Sequence, residues 1–287
     1  MSILIRIFTG YIILFYSVCA YAEDRCLNLA EYLFALENYD EAITEYKRFI
    51  FFNPTSDSVS YAYYQIGLAY RNERRWAESL DALRGSVQTA SNDSVKNERE
   101  ISLAVTLIAS GNYNAAEFRL LKLESFTRFP TLKRKAAFFR AIASLYSFEW
   151  ENARNAFQVY SNDSLEGNSS ETFSQVYSML LKAQNLGYKS PALAKLLSTF
   201  LPGTGQIYAG DWRSGLNALA INILTGYFFF GNLIENNYRD AISSYFFLFR
   251  RYYQGNRYHA EEAATQYNQH LNQRIAESVF DALQNFE

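Results

Sequence analysis

The stretch "LPGTGQIYAGDWRSG", Leu201 to Gly215, holds four glycines and a proline. Glycine at that density either cradles a phosphate with backbone N–H groups or lets a broken helix turn sharply. A phosphate loop of the Walker type needs Gly-Lys-Ser/Thr, yet Gly205 runs on into Gln206-Ile207-Tyr208-Ala209-Gly210-Asp211 without a lysine. A dinucleotide fingerprint follows a strand, whereas the preceding "AKLLSTFL" has helical spacing. The expectation is a turn, with no nucleotide. His259 and His270 lie eleven residues apart on one helix, about 16 Å, too far to share a metal. His259 with Glu262 has no second ligand pair, so no metal site is expected. Nor does the chain show a Ser–His–Asp set, paired carboxylates or a Cys–His cluster. No catalytic residue and no cofactor are expected, and the chain reads as a non-enzyme.

Composition narrows the classes further. The 287 residues carry a net charge of −2, which excludes the basic footprint of a nucleic-acid binder. Aromatic residues make up 17%, with 23 Tyr and 23 Phe, a proportion suited to packed repeat helices or to membrane interfaces. Residues 1–22 read as a secretory signal: Arg6, an apolar run from Ile7 to Val18, then Ala20-Tyr21-Ala22. An uncleaved anchor helix is the alternative, and acylation at Cys19 a weaker one because Val18 precedes it. Cleavage would leave Cys26 as the single thiol, a small core residue with no intrachain disulfide.

From about residue 25 to 165 the chain repeats with a period of 37. Small residues fall at Ala30, Gly67, Ala104 and Ala141, and again twelve positions later at Ala42, Ser79, Ala116 and Ala153. Bulky ones follow at Tyr46, Leu83, Leu120 and Phe157. Antiparallel helices approach closely only where small side chains face each other, so these positions are expected to form the hairpin contacts. "ENYD", "NERRW", "SGNYN" and "FEWEN" are the turns. A fifth step would land on Ser178, Ser190 and Ala194, with Ser190 and Pro191 opening a helix. The pattern, with Pro54 closing the first repeat, resembles tetratricopeptide repeats, and the resemblance implies a helical-hairpin solenoid over residues 23–189.

Residues 190–258 form a different module. Ser214 to Ile234 is uncharged for 21 residues, long enough to cross a hydrocarbon core of about 30 Å. "AISSYFFLF" is apolar for nine residues before Arg250 and Arg251, too short to cross unaided. Lys195, Arg213, Arg239, Arg250, Arg251 and Arg257 outnumber Asp211, Glu235 and Asp240, which suits anionic headgroups. In lipid a broken helix needs its amides sheltered: Gln206 is the candidate to bond freed carbonyls, with Tyr208 and Trp212 at headgroup level. A buried, soluble helical hairpin capping the solenoid is the alternative. Residues 259–287 read as an amphipathic helix with a stripe of Tyr267, Leu271, Ile275, Val279 and Leu283.

"PGTGQIYAG" followed by "YYQGN" resembles a C-terminal module of secreted bacterial envelope proteins, distantly similar to small two-helix membrane domains. The resemblance singles out Pro202, Gly203, Gly205, Gln206, Tyr208, Gly210, Gly215, Tyr253, Gly255 and Asn256; it implies a location and no activity. The expected fold is all-α. The expected role is an exported, membrane-associated scaffold with its repeats in the periplasm, binding protein partners of the cell envelope and membrane lipid, in envelope protein assembly. The alternative is a channel-forming or transport subunit, in which Asn217, Asn222 and Thr225 line a polar path.

Overall fold

The computed structural model describes residues 26–161 and 168–284, and the regular structure among them is helical throughout. The expected signal segment, Cys19 and the second "SNDS" beyond Ser161 lie outside the described residues. The fold divides after Ser170 into two compact units.

The first unit is a run of hairpins: α1 Cys26–Ala35, α2 Tyr39–Phe52, α3 Val59–Asn72, α4 Trp76–Gln88, α5 Asp93–Ala109, α6 Tyr113–Phe126, α7 Pro130–Tyr146 and α8 Trp150–Ser161. From α2 to α8 each helix packs on the next, and α5 also meets α7. All eight small repeat positions are buried, as are Tyr46, Leu83, Leu120 and Phe157. Gly67 shows why size matters there. A Cβ on it would stand 2.6 Å from Leu83 Cγ, and Ser79 Oγ donates to the Gly67 carbonyl at 2.7 Å. Asn92 caps α5, accepting from the Val95 N–H at 3.0 Å. A buried fork joins α6 to α7, with Arg140 Nε donating to Glu124 Oε2 at 2.9 Å.

The period recurs in the turns, where nothing in the residue types announces it. Glu37, Arg74, Gly111 and Phe148 all adopt positive φ, between 59° and 81°. Each ends the first helix of its hairpin. In each, the next N–H reaches back five residues, as Arg75 to the Tyr70 carbonyl at 2.8 Å and Glu149 to that of Ser144 at 2.9 Å. This is the left-handed closure that glycine favours, yet only Gly111 is one. A side chain in that conformation costs about 1–2 kcal/mol. Arg74 is exposed, so Arg74→Gly is expected to stabilise the chain by about 0.5–1 kcal/mol after glycine's own entropy cost. The check is a higher urea midpoint with an unchanged slope.

The second unit begins within α9, Asn168–Gln184, and continues through α10 Pro191–Phe200, α11 Thr204–Tyr208, α12 Trp212–Ile234, α13 Tyr238–Ser244, a π-helical turn Tyr245–Phe249 and α14 Arg250–Gln284. The repeat register carries into it only in part. Ser178 is exposed, and the buried face of α9 carries Phe173, Val176, Leu180 and Ala183 instead. The fifth step therefore misses at Ser178, while its later position Ala194 is buried. Ser190 does cap α10, with the Leu193 N–H at 3.2 Å and Pro191 in the first turn. α10 and α11 pack on α14, and α12 pairs with α13 and the π turn. α14 continues through residue 259 without a break and turns Val279, Ala276, Ala264 and Ala260 inward.

Candidate functional site

The glycine stretch joins α10, α11 and α12 into a knot held by α14. Leu201 is extended (φ −134°), as the residue before a proline must be, and α10 ends there. The ending strands two carbonyls. Ser198 would normally accept from residue 202, but Pro202 has no N–H. Asn256 Nδ2 donates to it instead, at 3.2 Å. The Thr199 carbonyl would accept from Gly203, whose N–H goes to Asn256 Oδ1 at 3.0 Å. Tyr253 OH takes its place, donating to Thr199 O at 2.7 Å. The side chains of "YYQGN" therefore cap a helix more than fifty residues earlier.

Gln206 completes the set. It is 2% exposed, donates from Nε2 to both the carbonyl and Oδ1 of Asn256, and accepts from Ser198 Oγ at 3.0 Å. Ser198 Oγ in turn accepts from the Gly205 N–H at 2.9 Å. Most of the freed backbone groups thus go to Asn256 and Ser198 rather than to Gln206, which was the sequence expectation. Ser198 carried no motif signal at all.

The glycines admit this only because they lack Cβ. One on Gly203, which has φ +94°, would lie 2.1 Å from the Gly215 carbonyl oxygen. One on Gly205 would lie 2.0 Å from Ala194 O, and one on Gly215 2.5 Å from Ile207 Cγ1. Gly210 (φ +94°) closes α11, with the Asp211 N–H bonded to Gln206 O at 2.9 Å. Gly255 differs: a Cβ there would meet nothing within 4 Å. It opens on a groove between α12 and α14.

Tyr208 has partners within the protein. Its hydroxyl accepts from the Ser190 N–H at 3.1 Å, and the Lys189 ammonium lies 4.9 Å from its ring centre. That lysine's backbone is gripped twice by Asn268, both bonds 2.8 Å, which ties the start of α10 to α14. Trp212 is exposed.

Beyond the knot, α12 inverts the usual order of a soluble helix. Its buried residues are Gly215, Asn222 and Thr225, while Ile223, Leu224, Tyr227, Phe228, Phe230 and Ile234 are exposed. Only 11% of its most apolar window is buried, and it is long and apolar enough to cross a membrane. The return leg lies beside its second half, with Phe229 against Phe249 at 5.9 Å between ring centres. Phe249 stacks in turn on Tyr253 at 5.8 Å. Phe246 and Phe247 point outward. Arg250 and Arg251 therefore follow directly after the Phe249 contact with Gly226, opposite the middle of α12.

Thr225 Oγ1 donates to Ile221 O at 2.9 Å and Asn222 Nδ2 to Ala218 O at 2.8 Å, both back onto their own helix. His259 Nδ1 sits 3.2 Å from Glu262 Oε2, and His270 is exposed. Among the described residues no three His, Cys, Asp or Glu side chains converge as a metal site would require. No family model matches the chain, and no curated protein is found to be similar in sequence.

Proposed function

We propose that the chain is an exported scaffold of the bacterial cell envelope: tetratricopeptide-like hairpins present a protein-binding surface, and the C-terminal module holds them at a membrane. The inverted burial of α12 carries this reading. Its small and polar residues face protein, while its aliphatic and aromatic ones face outward, which in water would expose a large apolar patch. In lipid the same surface is satisfied, and at the break in the chain the Ser198 and Thr199 carbonyls and the Gly203 and Gly205 N–H groups have protein partners. The repeats add their own bare aromatics, Phe51, Phe52, Phe118 and Phe126, as contacts for a protein partner. A periplasmic position for the repeats follows from the signal-like start and the module's resemblance, and assembly of envelope proteins is the role that fits both. The channel alternative has less support, because Asn222 and Thr225 bond to their own helix.

The test is flotation of the full-length chain with phospholipid vesicles. Wild type is expected to float. A variant with Phe228, Phe230, Phe246 and Phe247 changed to serine is expected to lose at least about 100-fold in partitioning, since each buried ring contributes about 1.5–3 kcal/mol. A wild-type chain that stays monodisperse in buffer without detergent, and does not float, ends the proposal.

A further inference from the structure

Two bare stripes on the repeat unit have matching length and opposite charge. On α1, Leu29, Tyr32 and, just past its end, Leu36 are spaced i, i+3 and i+7, which puts them on one face over about 10 Å. All three are exposed, Tyr32 by 62%. The end helix of a stacked-hairpin run is normally capped by a polar outward face; α1, the first described helix, carries an apolar one. On α6, Phe118, Leu121 and Phe126 form a second stripe over about 12 Å, Phe126 being 79% exposed. Both stripes are exposed, so they do not meet within one copy.

Their surroundings differ in sign. Residues 26–46 contain Glu31, Glu37, Asp40, Glu41 and Glu45 and no base. Asp40 is met by Arg75 and Glu45 by Arg48, while Glu31, Glu37 and Glu41 are exposed. Residues 119–135 contain six bases against one acid, Glu124, which is buried on Arg140. Lys122 stands within the α6 stripe, with Arg128 and Lys133 beyond its end, and all three are exposed. Apolar stripes edged by opposite charges favour one pairing and one register over others. We propose that α6 docks α1 of a second copy of this chain, Phe118 and Phe126 packing on Tyr32 and Leu36, and Lys122 and Arg128 facing Glu37 and Glu41. This rests on the reading that the bare repeat aromatics contact protein, and it names that protein. A second copy brings the complementary stripe at the same concentration as the site. Because the two stripes differ, the contact is heterologous: each copy offers one stripe and accepts on the other, and copies join into a ring or an open row. Phe51 and Phe52 stay outside the contact, available to a different partner.

The full-length chain in a non-ionic detergent is followed by sedimentation velocity over a range of concentrations, with its mass corrected for bound detergent. Wild type is expected to rise above the monomer mass with concentration, and to fall back when salt is raised from about 0.05 M to about 0.5 M. Tyr32→Ser with Leu36→Ser, and Phe118→Ser with Phe126→Ser, are each expected to weaken assembly at least about tenfold. The melting transition should stay in place, since all four side chains are exposed. A one-to-one mixture of the two double variants is the decisive sample. Each retains the stripe that the other has lost, so the expected product is a dimer and nothing larger. Lys122→Glu with Arg128→Glu is expected to weaken assembly at low salt and to remove its salt dependence. A wild type that is monomeric throughout, assembly undiminished in either double variant, or a mixture that stays monomeric overturns the contact. So does a monomeric wild type whose flotation with anionic vesicles falls in the Phe118 and Phe126 variant, which assigns α6 to lipid. Flotation of the wild type is scored separately, so a monomeric chain that floats loses this inference and keeps the membrane reading.

Discussion

Gly205→Ala is expected to unseat α10 and α11 from α14 and to destabilise the second unit by about 3 kcal/mol or more. The added methyl would lie 2.0 Å from the Ala194 carbonyl oxygen and 2.7 Å from Ala260 Cβ. One neighbour is backbone in the middle of a helix and the other is a buried alanine, so neither can swing aside as a long side chain would. Relief requires α10 to move away from α11, and any such movement pulls Ser198 Oγ from the Gly205 N–H and from Gln206. Steric and hydrogen-bond losses therefore arrive together. Amide exchange resolved along the chain is the measurement: α10, α11 and the facing part of α14 should lose protection while α2 to α8 keep theirs. Gly255→Ala is the contrast. It sits on a helix in open space, so the usual helix propensity applies and a gain of up to about 1 kcal/mol is expected. Two glycines of one motif are thus expected to respond with opposite sign. Equal protection in wild type and Gly205→Ala would remove the close-approach account.

Asn256→Ala is expected to cost the second unit about 3 kcal/mol or more, although it deletes only an exposed-looking polar residue from a long hydrophilic helix. The side chain is 4% exposed and serves three clients: the Gly203 N–H, the Ser198 carbonyl and Gln206 Nε2. Gln206 retains the Asn256 backbone carbonyl at 3.1 Å. The other two are backbone groups whose helical partners are already missing, one because of Pro202. Each buried group left bare costs about 1–3 kcal/mol. Chemical unfolding followed by amide exchange at residues 198–206 reads the effect. Asn256→Asp separates the halves: it keeps an acceptor for Gly203 and loses the donor to Ser198, while adding a buried charge, and is expected to be no better than alanine. A melting transition unchanged in both variants would mean that the bonds to Asn256 do not hold α10 in place.

Much of the repeat unit was legible because its signal is local and redundant. Small and bulky residues recur at fixed spacing, and the same contact is made four times, so one sequence contains four statements of it. All twelve positions are buried. The Ser190 cap and the preference for a turn over a phosphate loop at Gly203 to Gly210 rest on equally local rules. The left-handed residues Glu37, Arg74 and Phe148 were not legible, since hairpin geometry imposes that conformation on side chains that disfavour it. Ser178 misled because spacing alone does not fix which face of a helix is buried: α9 buries Phe173, Val176, Leu180 and Ala183 and leaves Ser178 exposed.

What the amino-acid order determined alone is helical hairpins, their contact residues and an uncharged stretch of 21 residues near the end. What only the tertiary structure decided is the use of the second motif. Asn256 and Tyr253 became caps for α10 because Pro202 and Gly203 withhold two N–H groups from it, and a vacancy fifty residues away leaves no trace in local spacing.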